Sequence, residues 1–229
     1  MIIRARKALV IVGLLSFFLT SCGLTPVLEK QEPRSEWATK WLTNPTCQPP
    51  CWENIIPGQT PIDDVAAILA TTQGIHILTN PQTGPLSEIR QMDWGFDQSI
   101  DSGGAQSDET GNLVSEIYLN TYQPITTEEV INKFGSPTNV LLYDCRSEFW
   151  RKSCVVHLVY PDKGMALDLF LNDTGKNGYQ VKIEPTSKLT AIYFFTDIEG
   201  AYEMNFGENS PNYPKYYYSW EVYSNYPEK

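Results

Sequence analysis

The chain has 229 residues, with 17 basic and 27 acidic side chains and a formal net charge of −10. Hydrophobic residues make up 41% and aromatic residues 12%, which excludes a disordered tail and allows one large domain or two small ones. The acidic balance disfavours nucleic acid and anionic lipid head groups as partners and favours neutral or cationic ones.

The first element is a leader. Arg4, Arg6 and Lys7 precede Ala8–Leu19, an apolar run of 12 residues. A spanning helix needs about 20, so the run reads as the core of a secretory signal rather than a membrane helix. It ends in Leu19-Thr20-Ser21-Cys22. That ending resembles the lipobox of bacterial lipoproteins. The resemblance implies cleavage before Cys22, acylation of Cys22 and a lipid-anchored place in the bacterial cell envelope, with the bilayer as a partner. Two or three acyl chains hold firmly, because each buried methylene contributes about 0.8 kcal/mol. Loss of Arg4, Arg6 and Lys7 with the leader takes the net charge from −10 to −13.

Residues 22–46 read as a tether, polar and interrupted by Pro26, Pro33 and Pro45. Trp37 and Trp41 stand four apart within it, a spacing that suits a short amphipathic helix. Four cysteines follow in two local sets, Cys47 with Cys51 and Cys145 with Cys154. An exported chain works where disulfides persist, so locality favours two short-range bridges. Each contributes about 2–3 kcal/mol on the chain-entropy account. Cys47-x3-Cys51 departs from the C-x-x-C of thiol oxidoreductases, and only His76 and His157 offer nitrogen to a zinc site. No metal and no cofactor is expected.

Thr60 is placed to cap a first helix, with Pro61 at its first position and Val65, Ile68 and Leu69 on its apolar face. Ile75–Leu78, Ile89–Phe96 and Leu113–Leu119 read as strands after it. Asp97–Glu109 between them is rich in Asp, Ser, Gly and Gln and reads as a solvated loop. Asp97, Asp101, Asp108 and Glu109 are its candidate calcium ligands, at a spacing that departs from an EF-hand. Thr126 and Glu129 form a capping box for a second helix, with Ile125 and Val130 as its staple and Gly135 and Pro137 as its stop. Strands are expected at Val140–Tyr143, Val155–Tyr160, Met165–Leu171, Val181–Ile183 and Leu189–Phe195, with a turn at Pro161-Asp162-Lys163-Gly164.

This order predicts an α+β fold of two helix-then-antiparallel-meander units, 47–122 and 123–229, packed as one continuous domain or standing as two. Asp63-Asp64-Val65 matches Glu128-Glu129-Val130 at an offset of 65. Ile56-Pro57-Gly58-Gln59-Thr60 with Val65 and Leu69 is similar to the opening of BamE/SmpA-type small lipoproteins. So is Pro124-Ile125-Thr126 with Val130 and Phe134-Gly135-Ser136-Pro137. That resemblance implies a helix followed by a three-stranded meander, in a family whose best-known members support outer-membrane protein assembly. Cys47–Gly58 also resembles uncharacterised lipoproteins that open with Cys-x-Pro-Cys-Trp.

No catalytic motif stands out. The paired acids Asp63-Asp64 and Glu128-Glu129 suit the first turn of a helix, where they complement the dipole. His76 and His157 sit in apolar strand contexts, and Ser115 and Ser153 lack a nucleophile motif. The C-terminus crowds Tyr213, Tyr216, Tyr217, Tyr218, Trp220, Tyr223 and Tyr226 into its last residues. Such rings form either a binding surface for envelope proteins or glycans, or a last strand that fills the core. The function expected is a non-catalytic extracytoplasmic binding or envelope-assembly lipoprotein. The alternative is an envelope hydrolase or carbohydrate-active enzyme with carboxylates that no motif marks.

Overall fold

The computed structural model describes residues 34–83, 88–122, 124–148, 151–172, 181–196 and 217–220. The leader, Cys22, the start of the tether, and Tyr213, Tyr216, Tyr223 and Tyr226 lie outside them. The fold is α+β. Helix α1 spans Glu36–Thr43, and a 3-10 turn at Ile62–Asp64 leads into α2, Val65–Leu69. Strands β1 (Ile75–Ile77), β2 (Gln82–Thr83), β3 (Arg90–Phe96), β4 (Ser102–Ser107) and β5 (Val114–Asn120) follow. Helix α3, Thr127–Phe134, then precedes β6 (Asn139–Glu148), β7 (Arg151–Tyr160), β8 (Met165–Asn172), β9 (Leu189–Phe195) and β10 (Tyr217–Ser219).

The described strands form one antiparallel sheet in the order β1-β3-β4-β5-β9-β8-β7-β6-β10, with β2 also on β3. Two meanders therefore join through β5 and β9 in one sheet. In that joint Tyr118 faces Tyr193, with Glu116 opposite Phe195 and Asn120 opposite Ala191.

One sheet face carries the main core. Trp94, Ile117, Leu119, Leu158, Leu167, Ile192 and Phe194 are buried there with Val65 and Leu69 of α2, Val130 of α3 and Trp41 of α1. The other face holds a smaller cluster of Val159, Ala166 and Phe195, with Tyr193 against it. Helix α1 bridges the two meanders by its tryptophans. Trp37 stacks on Phe96 of β3 at 4.9 Å, and Trp41 meets Phe134 of α3 at 5.0 Å. The four-residue spacing puts both rings on the buried side of one helix.

The second helix starts as its sequence dictates. Thr126 and Glu129 make the reciprocal capping-box bonds, and Ile125 and Val130 are buried. The first differs. Thr60 Oγ1 accepts the amide of Ile56 at 2.8 Å instead of a helical amide, and the chain opens with a 3-10 turn. The tight Ile56–Thr60 loop takes the hydroxyl first, a competition inherent to Ser and Thr.

The stretch 97–109, expected as a loop, holds β4 at Ser102–Ser107. Its glycines weaken strand propensity, yet they admit large rings. The Trp94 indole lies across Gly103, and the Tyr118 ring lies across Gly104 on the opposite face. Val181–Ile183 forms no strand, although both residues are buried.

Cys47 and Cys51 are bridged, with sulfurs 2.03 Å apart. Cys154 is disulfide-bonded as well. The side chain of Cys145, its expected partner, lies outside the described residues. Asp144 and Cys145 fall in a register shift of β6 opposite Cys154, between the pairs Tyr143–Val155 and Arg146–Ser153.

Candidate functional site

A groove of about 370 Å³ opens beside the N-terminus of α1. Arg34, Ser35, Glu36 and Trp37 form one wall, Gln73 and Gly74 a second, and Phe96, Asp97 and Gln98 the third. Its volume is in the range of small-molecule sites.

Each wall is held in place. Arg34 Nη2 donates to Pro124 O at 2.6 Å and to Glu129 Oε2 at 2.8 Å, tying the start of the described chain to the capping box of α3. Burial alone would raise the Glu129 carboxyl, but the Thr126 amide and the Arg34 guanidinium outweigh it and hold the carboxyl below its ordinary range. Asp101 is 2% exposed and serves as the hub behind the groove. Its Oδ2 accepts the Trp37 indole N–H at 2.9 Å and the Ser35 hydroxyl at 3.0 Å, and its Oδ1 accepts the Tyr122 amide at 2.8 Å. The half-buried Trp37 ring is thus fixed on one side by Phe96 and at its edge by Asp101. At the rim, His76 Nδ1 lies 3.1 Å from Asp97 Oδ1.

A second polar cluster crosses the joint between the meanders, on the face opposite the helices. Tyr118 donates its hydroxyl to Asp93 Oδ1, and Gln91 Nε2 donates to the Tyr118 oxygen at 2.8 Å. His157 Nδ1 meets Asp168 Oδ1, both residues being buried, and Tyr193 bonds to the same carboxylate. Glu116 stands nearby. Burial, and then the negative charge of Asp168, push its carboxyl up to about 7. Burial and Asp93 push the Tyr118 hydroxyl upward, and burial with Asp168 does the same to Tyr193.

The sequence-marked residues disperse. Asp63 pairs with Arg90 at 2.5 Å on the surface, and that hydrogen bond holds its carboxyl below the usual range. Asp108 closes the β4–β5 turn by accepting from Thr110 and the Asn112 amide. Among the described residues no group of His, Cys, Asp and Glu is arranged to hold a metal ion. Ser115 donates to Ser107 O at 2.9 Å. Trp220 is 9% exposed, joins the main core and donates its amide to Thr138 O. The backbones of Tyr217 and Tyr218 pair with Leu141 and Val140. Three features marked in the sequence meet at the groove, the Trp37–Trp41 spacing, Asp97 in the lining and Asp101 behind it, whereas Asp108 and Glu109 lie in the β4–β5 turn.

Among the described residues no helix is long and apolar enough to cross a membrane. Comparison with known proteins returned no matching family model, no similar curated protein and no similar solved structure.

Proposed function

We propose that the chain is a non-catalytic, lipid-anchored lipoprotein of the bacterial cell envelope that binds an envelope component through the groove beside α1. The observation that carries this reading is Trp37, an aromatic ring locked by Asp101 and Phe96 inside a polar groove. A pre-fixed ring loses little freedom on binding and offers a flat apolar face among polar side chains. Arg34 is already bonded to Glu129 and Asp97 is in contact with His76, which leaves Glu36 as the open charge of the lining. A neutral or cationic partner suits that balance and the overall acidity.

The strand order also supports an internal duplication. Each half supplies a helix and a meander, and β5 and β9 meet antiparallel with Tyr118 opposite Tyr193, as a pseudo-two-fold requires. An assembly role like that of BamE/SmpA-type proteins is part of this proposal and rests on the sequence resemblance.

The test is in-cell photo-crosslinking from Gln73 and Gln98 in the full-length protein, with Trp37→Ala and Cys22→Ser as comparisons. A reproducible adduct that weakens in Trp37→Ala supports the groove, and one that also weakens in Cys22→Ser supports the anchor. Adducts indifferent to Trp37 count against it.

A second reading, an envelope hydrolase, has one observation in its favour. Glu116 retains a proton near neutrality beside Asp168, as a general acid would. Glycan or peptide hydrolysis that disappears in Glu116→Gln would establish it, and the absence of turnover on envelope substrates would remove it.

A further inference from the structure

Five large apolar side chains stand exposed among the described residues, and three of them, Ile100 at 71%, Tyr122 at 70% and Phe170 at 59%, gather at one end of the sheet. Ser102 pairs with Asn120, and the Tyr122 amide bonds to Asp101, so Ile100 and Tyr122 are neighbours just past the open end of the β4–β5 hairpin. Thr121 then donates to Thr190 O, and Leu189 pairs with Leu169, which sets Phe170 one residue past the level of Tyr122 with β9 between them. At roughly 4.8 Å per strand, that separation is about 10 Å. The other end of the hairpin is its polar turn, with Asp108 capping it and Glu109, Thr110 and Asn112 exposed.

The N-terminal part of the chain joins the fold at the apolar end. Ser35 bonds to Asp101, between Ile100 and the strand, and Arg34 bonds to Pro124, two residues past Tyr122. Arg34 is the twelfth residue after Cys22, so the intervening chain reaches at most about 40 Å. A chain held by acyl groups at Cys22 therefore carries an apolar, aromatic rim where it enters the fold, and its polar turn at the far end. Tyrosine favours the membrane–water interface, where its ring lies on apolar surface and its hydroxyl stays among the head groups.

We propose that Ile100, Tyr122 and Phe170 rest in the head-group layer of the bilayer that holds Cys22, so that the groove beside α1 opens close to that membrane. The proposal rests on the lipid-anchor reading. Three side chains alone hold a protein weakly. The acyl chains supply the binding, and the rim sets the orientation.

The experiment uses the full-length acylated protein in zwitterionic phosphatidylcholine vesicles with quencher-labelled lipids. A fluorophore is placed on Ile100→Cys, on Tyr122→Cys, and on Glu109→Cys in the polar turn as the reference. The expected result is quenching about twofold or more stronger at 100 and 122 than at 109, since a shallow insertion brings only the rim within reach of the labelled lipid. With the probe at 122, Ile100→Ser with Phe170→Ser should return the signal to the level at 109. Equal quenching at all three sites in vesicle-bound protein overturns the orientation while leaving the anchor intact. Failure of the wild-type chain to float with vesicles overturns the anchor and the proposal with it.

Discussion

The indole N–H of Trp37 reaches the buried carboxylate of Asp101 across 64 positions of sequence, at 2.9 Å. The same carboxylate takes the Ser35 hydroxyl and the Tyr122 amide, so it joins the N-terminal segment to both strands of the β4–β5 hairpin at its open end. Asp101→Ala leaves three donors without their acceptor. Buried donors stripped of a charged acceptor cost about 2–4 kcal/mol in total. The expected outcome is a lower urea midpoint with an unchanged slope, together with a weaker near-ultraviolet signal from Trp37. An unchanged midpoint would mean that the hub adds nothing to the fold.

Asp101 also shows why the groove is hard to find in the sequence. It sits in a polar, glycine-rich stretch, where a carboxylate ordinarily signals solvent or a loop-bound cation. Its donors come from positions 35, 37 and 122, and no local pattern announces them. The capping box of α3 is the opposite case. Thr126 and Glu129 are three residues apart, the chemistry closes within one helical turn, and the sequence predicts it.

Trp41 gives a sharp test of what α1 is for. The residues before Cys47 read from sequence as a tether whose tryptophan pair could equally rest on the folded domain, and Trp41 is 3% exposed, sits in the main core and meets Phe134. Trp41→Ala should destabilise the protein by about 3–5 kcal/mol, as truncation of a buried large aromatic does. Substitution of the exposed Glu36 or Thr39 should stay within about 0.5 kcal/mol. Comparable melting temperatures for all three variants would return the helix to the status of a linker.

The disulfide Cys47–Cys51 closes a very short loop just after α1. A loop of about five residues is worth roughly 2 kcal/mol on the chain-entropy account. Cys47→Ala with Cys51→Ala should lower the stability by about that amount and leave the fold intact. Loss of folded structure altogether would show that the bridge fixes the Cys47–Ile55 segment against the core rather than only restraining the unfolded chain.

Gly104 is the residue that makes β4 readable only in three dimensions. Composition argues against a strand through Ser102-Gly103-Gly104, because alternation and branched side chains are absent. The missing side chain is the space through which Tyr118 reaches Asp93. An added methyl in Gly104→Ala meets the Tyr118 ring, so the ring must move and give up its bonds to Asp93 and Gln91. A loss of about 2–3 kcal/mol is expected, in the range of overpacking combined with a lost hydrogen bond. In a double-mutant cycle Tyr118→Ala should remove most of that loss. Additive effects would place the damage in the backbone of β4 instead.

Glu116 gives the pH dependence its sign. Its carboxyl titrates near 4.5 in the unfolded chain and at about 7 in the fold. Between those values the folded protein holds a proton that the unfolded chain has released, so stability falls as pH rises through this window and levels off above it. A displacement of that size corresponds to on the order of 3 kcal/mol, an upper figure for a side chain that keeps some access to water. Glu129 acts in the opposite sense. Its lowered carboxyl contributes stability that is present above about 4.5 and lost as pH falls below it. Together they predict a stability maximum in mildly acidic solution. Glu116→Gln removes the decline toward neutrality, and the variant should match the wild type near pH 5 and exceed its melting temperature near pH 8. Parallel melting curves from pH 5 to pH 8 would show that Glu116 is ionised in the fold at no cost.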